Sequence, residues 1–139
     1  MKSIILLIAL LTSISTFAVD KKEVNLDQVF WGKWSIYNPK LSCSENYDFQ
    51  KPDSFHYQEN KKILDGLFAL LRKDGEDLDL LILNIQNDNG LQGCGTDTVN
   101  YQGKKSSFFL KWVTVHSAEI CMDRFGTQCT GLYLTKKLN

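Results

Sequence analysis

Turn signals recur along the chain at a nearly even spacing, and no other feature restricts the fold as much. Five of them begin at positions 58, 73, 87, 102 and 116, and a sixth follows at 124. Two contain Asp-Gly or Asn-Gly, dipeptides that accept the positive φ of tight hairpin turns at low cost. This spacing, with no linker or low-complexity stretch between the turns, predicts antiparallel strands joined by short connections.

The segments between these turns are rich in aromatic and β-branched residues that alternate between two faces. In the segment 105–115, for example, Phe108, Leu110 and Trp112 share one face. Eight strands are predicted, at 29–38, 47–58 (broken by Pro52), 62–72, 78–86, 91–101, 105–115, 118–124 and 128–136. The predicted fold is mainly β, an eight-stranded antiparallel up-and-down barrel. Closure would remove the exposed strand edges and leave an interior wide enough for side chains or one small ligand.

One segment supports a second interpretation. Ile63, Leu64, Leu67, Phe68 and Leu71 fit the i, i+3, i+4 stripe of an amphipathic helix, although the spacing of the turns favours a strand there. A helix at 59–73 packed on a curved antiparallel sheet would make the fold α+β. The sequence leaves both alternatives open.

The first residues have the three parts of a secretory signal. Lys2 supplies a positive charge, an apolar run extends from Ile4 to Leu11, and small residues stand at Thr16 and Ala18, before a cleavage site. We therefore predict a signal peptide at 1–18 and a single disulfide-bonded domain at 19–139. The apolar run is too short to cross a bilayer, so no membrane span is expected after cleavage. The predicted location is secreted, either extracellular or periplasmic.

The cysteine count agrees with an oxidising compartment. All four cysteines follow the predicted signal peptide, and an even count in an exported chain predicts two disulfides. Cys121 and Cys129 flank a short turn symmetrically, so a hairpin would place them opposite each other. Cys43 and Cys94 would then pair by elimination.

Several kinds of function receive no support from the sequence. The 16 basic residues equal the 16 acidic ones in number and are scattered, so no nucleic-acid partner is predicted. The cysteine spacing is not that of a zinc site, and no cofactor is expected. His56 and His116 are the only histidines, and neither lies in a catalytic motif. We predict that the protein is not an enzyme, with a small hydrolase that uses His56 and an acid as a minor hypothesis.

A short motif near the start of the first predicted strand resembles a known superfamily. Gly32-Lys33-Trp34 is similar to the Gly-x-Trp motif of the calycins, which include lipocalins, fatty-acid-binding proteins and avidins. The resemblance implies that Trp34 packs across the closed end of a barrel and that Arg124 lies near the place of the lone Arg that packs on this Trp. The last predicted hairpin resembles that of fatty-acid-binding proteins, with Tyr133 present but Gly131 where that family has Arg.

The resemblance and the barrel together predict a non-catalytic binding protein that holds a small hydrophobic ligand in its interior. The residues predicted to line or close the barrel are Trp34, Phe108, Leu110, Trp112 and Tyr133. Tyr133 and then Tyr101 are the polar residues expected to orient the ligand.

A hypothesis from another class is a secreted protein-interaction module or enzyme inhibitor. Its barrel would be packed solid, and a binding loop at 39–54, held by Cys43, would contact a protein partner. A ligand-sized cavity would favour the carrier, and a solid core would favour the interaction module.

Overall fold

The computed structural model of the chain describes residues 18–96 and 98–138. Eight strands form a closed barrel in which each strand pairs antiparallel with the next and β1 also pairs with β8. The strands are β1 Gly32–Asn38, β2 Cys43–Gln50, β3 Ser54–Glu59, β4 Lys62–Leu71, β5 Asp79–Asp88, β6 Lys105–Thr114, β7 Ser117–Cys121 and β8 Cys129–Lys136. The predicted eight-stranded up-and-down barrel is therefore confirmed. Residues 1–17 of the predicted signal peptide lie outside the described residues.

The segment before β1 closes one end of the barrel. A 3-10 turn at Lys21–Glu23 and a short helix α1 at Leu26–Val29 lead into the first strand. Val24 and Phe30 are buried in the core, and the Lys136 ammonium donates to the Val29 carbonyl oxygen. Among residues 18–96 and 98–138, the structure contains no helix with the length and apolar character needed to cross a membrane.

The strand count was predicted correctly, but two of the strands were placed wrongly. The segment 47–58 is part of two strands, β2 and β3, which meet at a turn around Pro52. The segment 91–101 has no strand among its described residues and belongs to a long connection between β5 and β6. The predicted binding loop at 39–54 is mostly strand β2, because Tyr47 and Phe49 alternate into the core.

The segment that could have been a helix is strand β4. Lys62, Leu64, Gly66 and Phe68 are buried at every second position, which is the period of a strand. The helix-like stripe arises because the outward residues Leu67, Ala69 and Leu71 are also mostly apolar. When both faces of a strand are apolar, apolar residues also occur at the positions i, i+3 and i+4 that are typical of a helix.

Both predicted disulfides are confirmed. Cys121–Cys129 joins β7 to β8, where the two residues are register partners. Cys43–Cys94 joins the start of β2 to the long β5–β6 connection. Two disulfides are typical of a protein outside the reducing cytosol.

The closed end of the barrel is filled by aromatic side chains. Trp34 is fully buried, donates from Nε1 to the Phe30 carbonyl oxygen at 2.7 Å, and contacts Trp112 edge to face. Gly32, two residues earlier, has φ +103°, so the chain bends there in a conformation that side chains disfavour. The basic group over Trp34 is Lys136, at 5.7 Å from the ring. The expectation for Arg124 is wrong, because that residue lies on the β7–β8 loop against Phe125.

A buried ion pair stands beside this aromatic cluster. The Asp79 carboxylate is completely buried and accepts two hydrogen bonds from Arg72, at 2.9 and 2.6 Å. Trp112 Nε1 donates to the same carboxylate at 2.8 Å, and Arg72 also donates to the Val24 carbonyl oxygen. The pair therefore connects the β4–β5 loop to the core and to the N-terminal segment that closes the barrel.

Candidate functional site

The opposite end of the barrel contains a cavity of about 370 Å³. It lies inside strands β2 to β6, below the β1–β2 turn and the β5–β6 connection. Its apolar and aromatic walls are formed by Leu41, Tyr47, Phe55, Leu64, Leu83 and Ile85. Its polar groups are those of Glu45, Tyr57, Glu59, Lys62, Tyr101 and Ser106. This combination of an apolar interior and a few grouped polar side chains is that of a small-molecule binding site.

The pleat of β2 and β3 determines which polar groups reach the cavity. Tyr47 and Phe49 face the core, so Glu45, two residues before Tyr47, also faces inward. On β3 the inward positions run from Phe55 through Tyr57 to Glu59 at the end of the strand. Glu45, near the start of β2, and Glu59, at the end of β3, therefore place two carboxylates at the mouth of the barrel.

Tyr57 connects the two carboxylates. Its hydroxyl oxygen lies 3.0 Å from Glu45 Oε1 and 2.6 Å from Glu59 Oε2. Glu59 also accepts a hydrogen bond from the Cys94 backbone N–H at 3.1 Å. Gly93 allows this approach, because a Cβ at that position would stand 2.7 Å from Glu59 Oε2.

Burial and like charge make this group of acids unusual. Burial raises the pKa of Glu45, the hydrogen bond from Tyr57 lowers it, and the negative charge of Glu59 raises it again, with a net increase. Burial also raises the pKa of Tyr57 and of Tyr47, and the charge of Glu45 adds to both increases. Both phenols therefore remain protonated at neutral pH and can donate hydrogen bonds.

Lys62, in contrast, has a partner within the protein. Its ammonium donates to both Asp88 carboxylate oxygens at 3.0 Å and to the Val99 carbonyl oxygen at 3.1 Å. Burial alone would raise the pKa of Asp88, but hydrogen bonds from the backbone N–H groups of Tyr101 and Gly90 and from Lys62 lower it. The charge of Lys62 is thus balanced by Asp88.

These contacts and a disulfide hold the β5–β6 connection over the mouth of the barrel. The Cys43–Cys94 bridge fixes its first half to β2, and Asn60 Nδ2 donates to the Gly93 carbonyl oxygen at 3.2 Å. Tyr101 is held in the second half by its backbone N–H, which donates to Asp88 at 2.7 Å. The cavity wall is therefore built partly from a loop that has no regular secondary structure among its described residues.

Most residues predicted to contact a ligand lie in the packed core instead. Trp34, Leu110 and Trp112 are almost completely buried and fill the closed end, and Phe108 packs against the same core. None of these side chains lines the cavity. These side chains lie toward the closed end of the barrel, and the cavity lies at the opposite end.

The two predicted tyrosines lie in different environments. Tyr101 lines the cavity, where its ring lies 5.3 Å from the Lys62 ammonium. Tyr133 is 43% exposed and follows the outward register of β8, since its neighbour Leu134 is fully buried. Tyr133 therefore points away from the interior and does not line the cavity.

The polar residues that matter most at this cavity are not among those predicted from the sequence; they are Glu45, Tyr57 and Glu59. A signal for them exists in the alternation of Glu45, Tyr47 and Phe49 and of Phe55, Tyr57 and Glu59. An acid that ends an inward-facing aromatic series indicates a charge at the rim of the barrel. The predicted strand 47–58 begins after Glu45 and ends before Glu59, so neither acid was assigned to a strand.

The outer surface has a polar region around His56. Its Nδ1 lies 2.7 Å from Asp65 Oδ1, and both side chains are about half exposed. A groove of about 220 Å³ beside it is lined by Lys33, Asp48 and His56, among others. Within the described residues, both groups with the spacing of metal ligands contain disulfide cysteines, whose sulfurs are already bonded.

A second outer region, on β4 to β6, is apolar. Leu67 and Leu71 are 36% and 48% exposed, and Leu71 pairs with Leu80, which pairs in turn with Phe109. Ile82 lies on the same face. We call these five residues the outer apolar face. It explains why β5 is apolar on both of its sides although only one faces the core.

No family model, curated protein or solved structure matches this chain.

Proposed function

We propose that this protein is a secreted, non-catalytic binding protein that holds one small, largely apolar ligand in the cavity at the mouth of its barrel. The cavity itself is the observation that carries this proposal. Its volume of about 370 Å³ falls within the range of small-molecule sites, and aliphatic and aromatic side chains form its inner wall. The disulfides and the apparent signal peptide support export.

We further propose that the barrel is of the calycin type. Three features support this assignment: the up-and-down strand order, the Gly-x-Trp motif at the closed end, and a basic side chain over Trp34. In calycins the motif tryptophan packs across the closed end, and the position of Trp34 agrees with that arrangement. The basic side chain is Lys136, so the assignment does not depend on Arg124.

The proposal predicts that a bulky side chain at the mouth blocks ligand entry. Ser106 lines the cavity, whereas the adjacent Ser107 faces outward and pairs with Ile82. We expect Ser106→Trp to weaken binding of a neutral apolar dye, N-phenyl-1-naphthylamine, by at least roughly tenfold, because the indole would occupy the space of the dye. Ser107→Trp, the matched control, should change the affinity by less than about twofold.

Dye fluorescence during titration of the oxidised protein measures both affinities. The choice of an external dye follows from the structure, since Trp34 and Trp112 lie at the closed end, away from the cavity. Equal weakening by both substitutions, or a wild-type protein that leaves the dye fluorescence unchanged, would count against a ligand in this cavity.

A second candidate function is protein interaction through the outer apolar face. Exposed leucines at positions 67 and 71, next to Leu80 and Phe109, form a surface of the kind that partner proteins cover. This face, and not the segment 39–54, would then be the contact surface.

Replacing Leu71 with a photo-crosslinking amino acid tests protein interaction through the outer apolar face. The expected result is one discrete adduct in host extracellular fluid, absent when the crosslinker replaces Lys33 on the other side of the barrel. Similar adducts from both positions would indicate nonspecific contact and reject this interface.

A further inference from the structure

One phenol hydroxyl contacts two carboxylates at the mouth of the cavity. The Tyr57 hydroxyl stands between Glu45 Oε1 at 3.0 Å and Glu59 Oε2 at 2.6 Å. A phenol carries a single hydrogen, so it can donate to only one of these carboxylates at a time. The shorter contact and the Cys94 N–H at 3.1 Å both serve Glu59. Within residues 18–96 and 98–138, Glu45 has no other hydrogen-bond donor whenever Tyr57 donates to Glu59.

The charges around the cavity are also unbalanced. Three charged residues line it: Glu45, Glu59 and Lys62. Lys62 forms an ion pair with Asp88, which does not line the cavity. Glu45 and Glu59 form no ion pair with any residue in the described part of the chain. The lining therefore has an excess of negative charge in a partly buried site, where such a charge interacts more strongly than in water.

The surfaces next to these carboxylates are aromatic. Tyr47 and Tyr57 contact each other edge to face with their ring centroids 4.9 Å apart, and both line the cavity. Tyr101 stands at the rim, where its ring already faces two ammonium groups, those of Lys62 and Lys104, at 5.3 and 5.7 Å. Aromatic faces attract organic cations, and this attraction adds to that of the carboxylates.

Building on the proposed function, we infer that the ligand of this cavity is a small organic amine, with an apolar or aromatic body inside the barrel and an ammonium group between Glu45 and Glu59. The body would lie against Phe55, Leu64 and Leu83. The ammonium supplies a donor to Glu45 when Tyr57 donates to Glu59, and its positive charge offsets part of the negative charge of the two carboxylates.

A divalent metal ion fits the same residues less well. Calcium takes six to eight oxygen ligands, whereas the mouth offers two carboxylates and a phenol beside an apolar wall. A carboxylate ligand would meet Glu45 and Glu59 with like charge. An amine is the class that uses both the acids and the apolar interior.

The inference includes a pH dependence. The groups that face Glu45 are Tyr47, Tyr57 and Glu59, with Lys62 and Tyr101 on the same cavity wall. Burial raises the pKa of Glu45 in the protein without ligand. An ammonium favours the ionised form of Glu45, so binding releases a proton. The affinity for an amine should therefore fall as the pH is lowered through the raised pKa, while the affinity for a neutral analogue should not.

The test compares three compounds that share an indole ring. Isothermal titration of the oxidised protein with tryptamine, tryptophol and indole-3-propionate presents an ammonium, a hydroxyl and a carboxylate on the same body. We expect tryptamine to bind at least roughly tenfold more tightly than tryptophol and indole-3-propionate to bind most weakly. Glu45→Gln and Glu59→Gln should each remove most of the preference for tryptamine over tryptophol.

Asp48→Asn is the matched control, because Asp48 lies on the same strand as Glu45 but on the outer groove. It removes one negative charge without changing the cavity and should retain the preference. Tryptophol binding by each variant also shows that the variant is folded. If tryptamine and tryptophol bind with equal affinity and Ser106→Trp still weakens binding of N-phenyl-1-naphthylamine, the amine inference is overturned. The proposed binding site in the cavity is then retained. If the wild-type protein binds neither the indole compounds nor the dye, both the amine inference and the proposed binding function are overturned. If calcium displaces tryptamine, the site is a metal site instead.

Discussion

Replacing Arg72 with methionine is expected to lower the free energy of unfolding by about 3 kcal/mol at neutral pH. The reason is that Asp79 is completely buried and would lose two of the three side-chain hydrogen bonds to its carboxylate. Removing one partner of a buried pair leaves an uncompensated charge, which costs roughly 3–5 kcal/mol in other proteins. We expect the lower end of that range because the Arg72 side chain is 29% exposed. Urea denaturation followed by circular dichroism measures the change.

Two further variants separate the buried charge from the loss of the arginine itself. Arg124→Met removes an exposed arginine from the β7–β8 loop and should change the stability by less than about 0.5 kcal/mol. The double substitution Arg72→Met with Asp79→Asn removes both charges. The side-chain amide oxygen introduced at position 79 can still accept the hydrogen bond from Trp112. It should recover at least half of the loss. A double variant less stable than Arg72→Met alone would mean that the pair acts through packing and not through the buried charge.

Substitution of Trp34 by alanine should cost about 3–5 kcal/mol, the usual loss when a large aromatic side chain is removed from a core. Trp34 is fully buried against Phe30 and Trp112, and its Nε1 hydrogen bond to the Phe30 carbonyl oxygen would also be lost. The cavity left behind would lie where the N-terminal segment closes the barrel. Guanidinium denaturation provides the free energy of unfolding.

Trp31 is the matched control for this prediction. It is only half-buried, contacts Phe68 at its edge, and donates to the Asp27 carbonyl oxygen. Trp31→Ala should therefore cost less than half as much as Trp34→Ala. Similar losses at both positions would contradict the assignment of Trp34 as the residue that fills the closed end.

Local chemistry in the sequence was sufficient to predict much of the fold. Asp74-Gly75 and Asn89-Gly90 indicate turns because of their backbone conformations, and both glycines do have positive φ. The symmetric placement of Cys121 and Cys129 about a turn predicted their disulfide, since a hairpin sets such residues opposite each other. These features depend on residues close together in the chain, so the sequence alone indicates them.

The candidate site depended on contacts between distant segments. Glu45 and Glu59 meet at Tyr57 because β2 and β3 pair in one particular register, and Cys94 reaches Glu59 only through a long loop. Tyr133 shows the converse, because resemblance suggested an inward side chain and the register of β8 turns it outward.

By itself, the sequence determined the Cys121–Cys129 disulfide and a mainly β fold built from hairpins, because the spacing of these two cysteines and the turn chemistry are local properties. Only the tertiary structure decided between helix and strand at 62–71, which end of the barrel is packed, and which acids face the cavity. The physical reason is that both faces of β4 and β5 are apolar, so hydrophobic pattern alone does not distinguish inside from outside. Closure of the barrel, through the pairing of β1 with β8, makes that distinction.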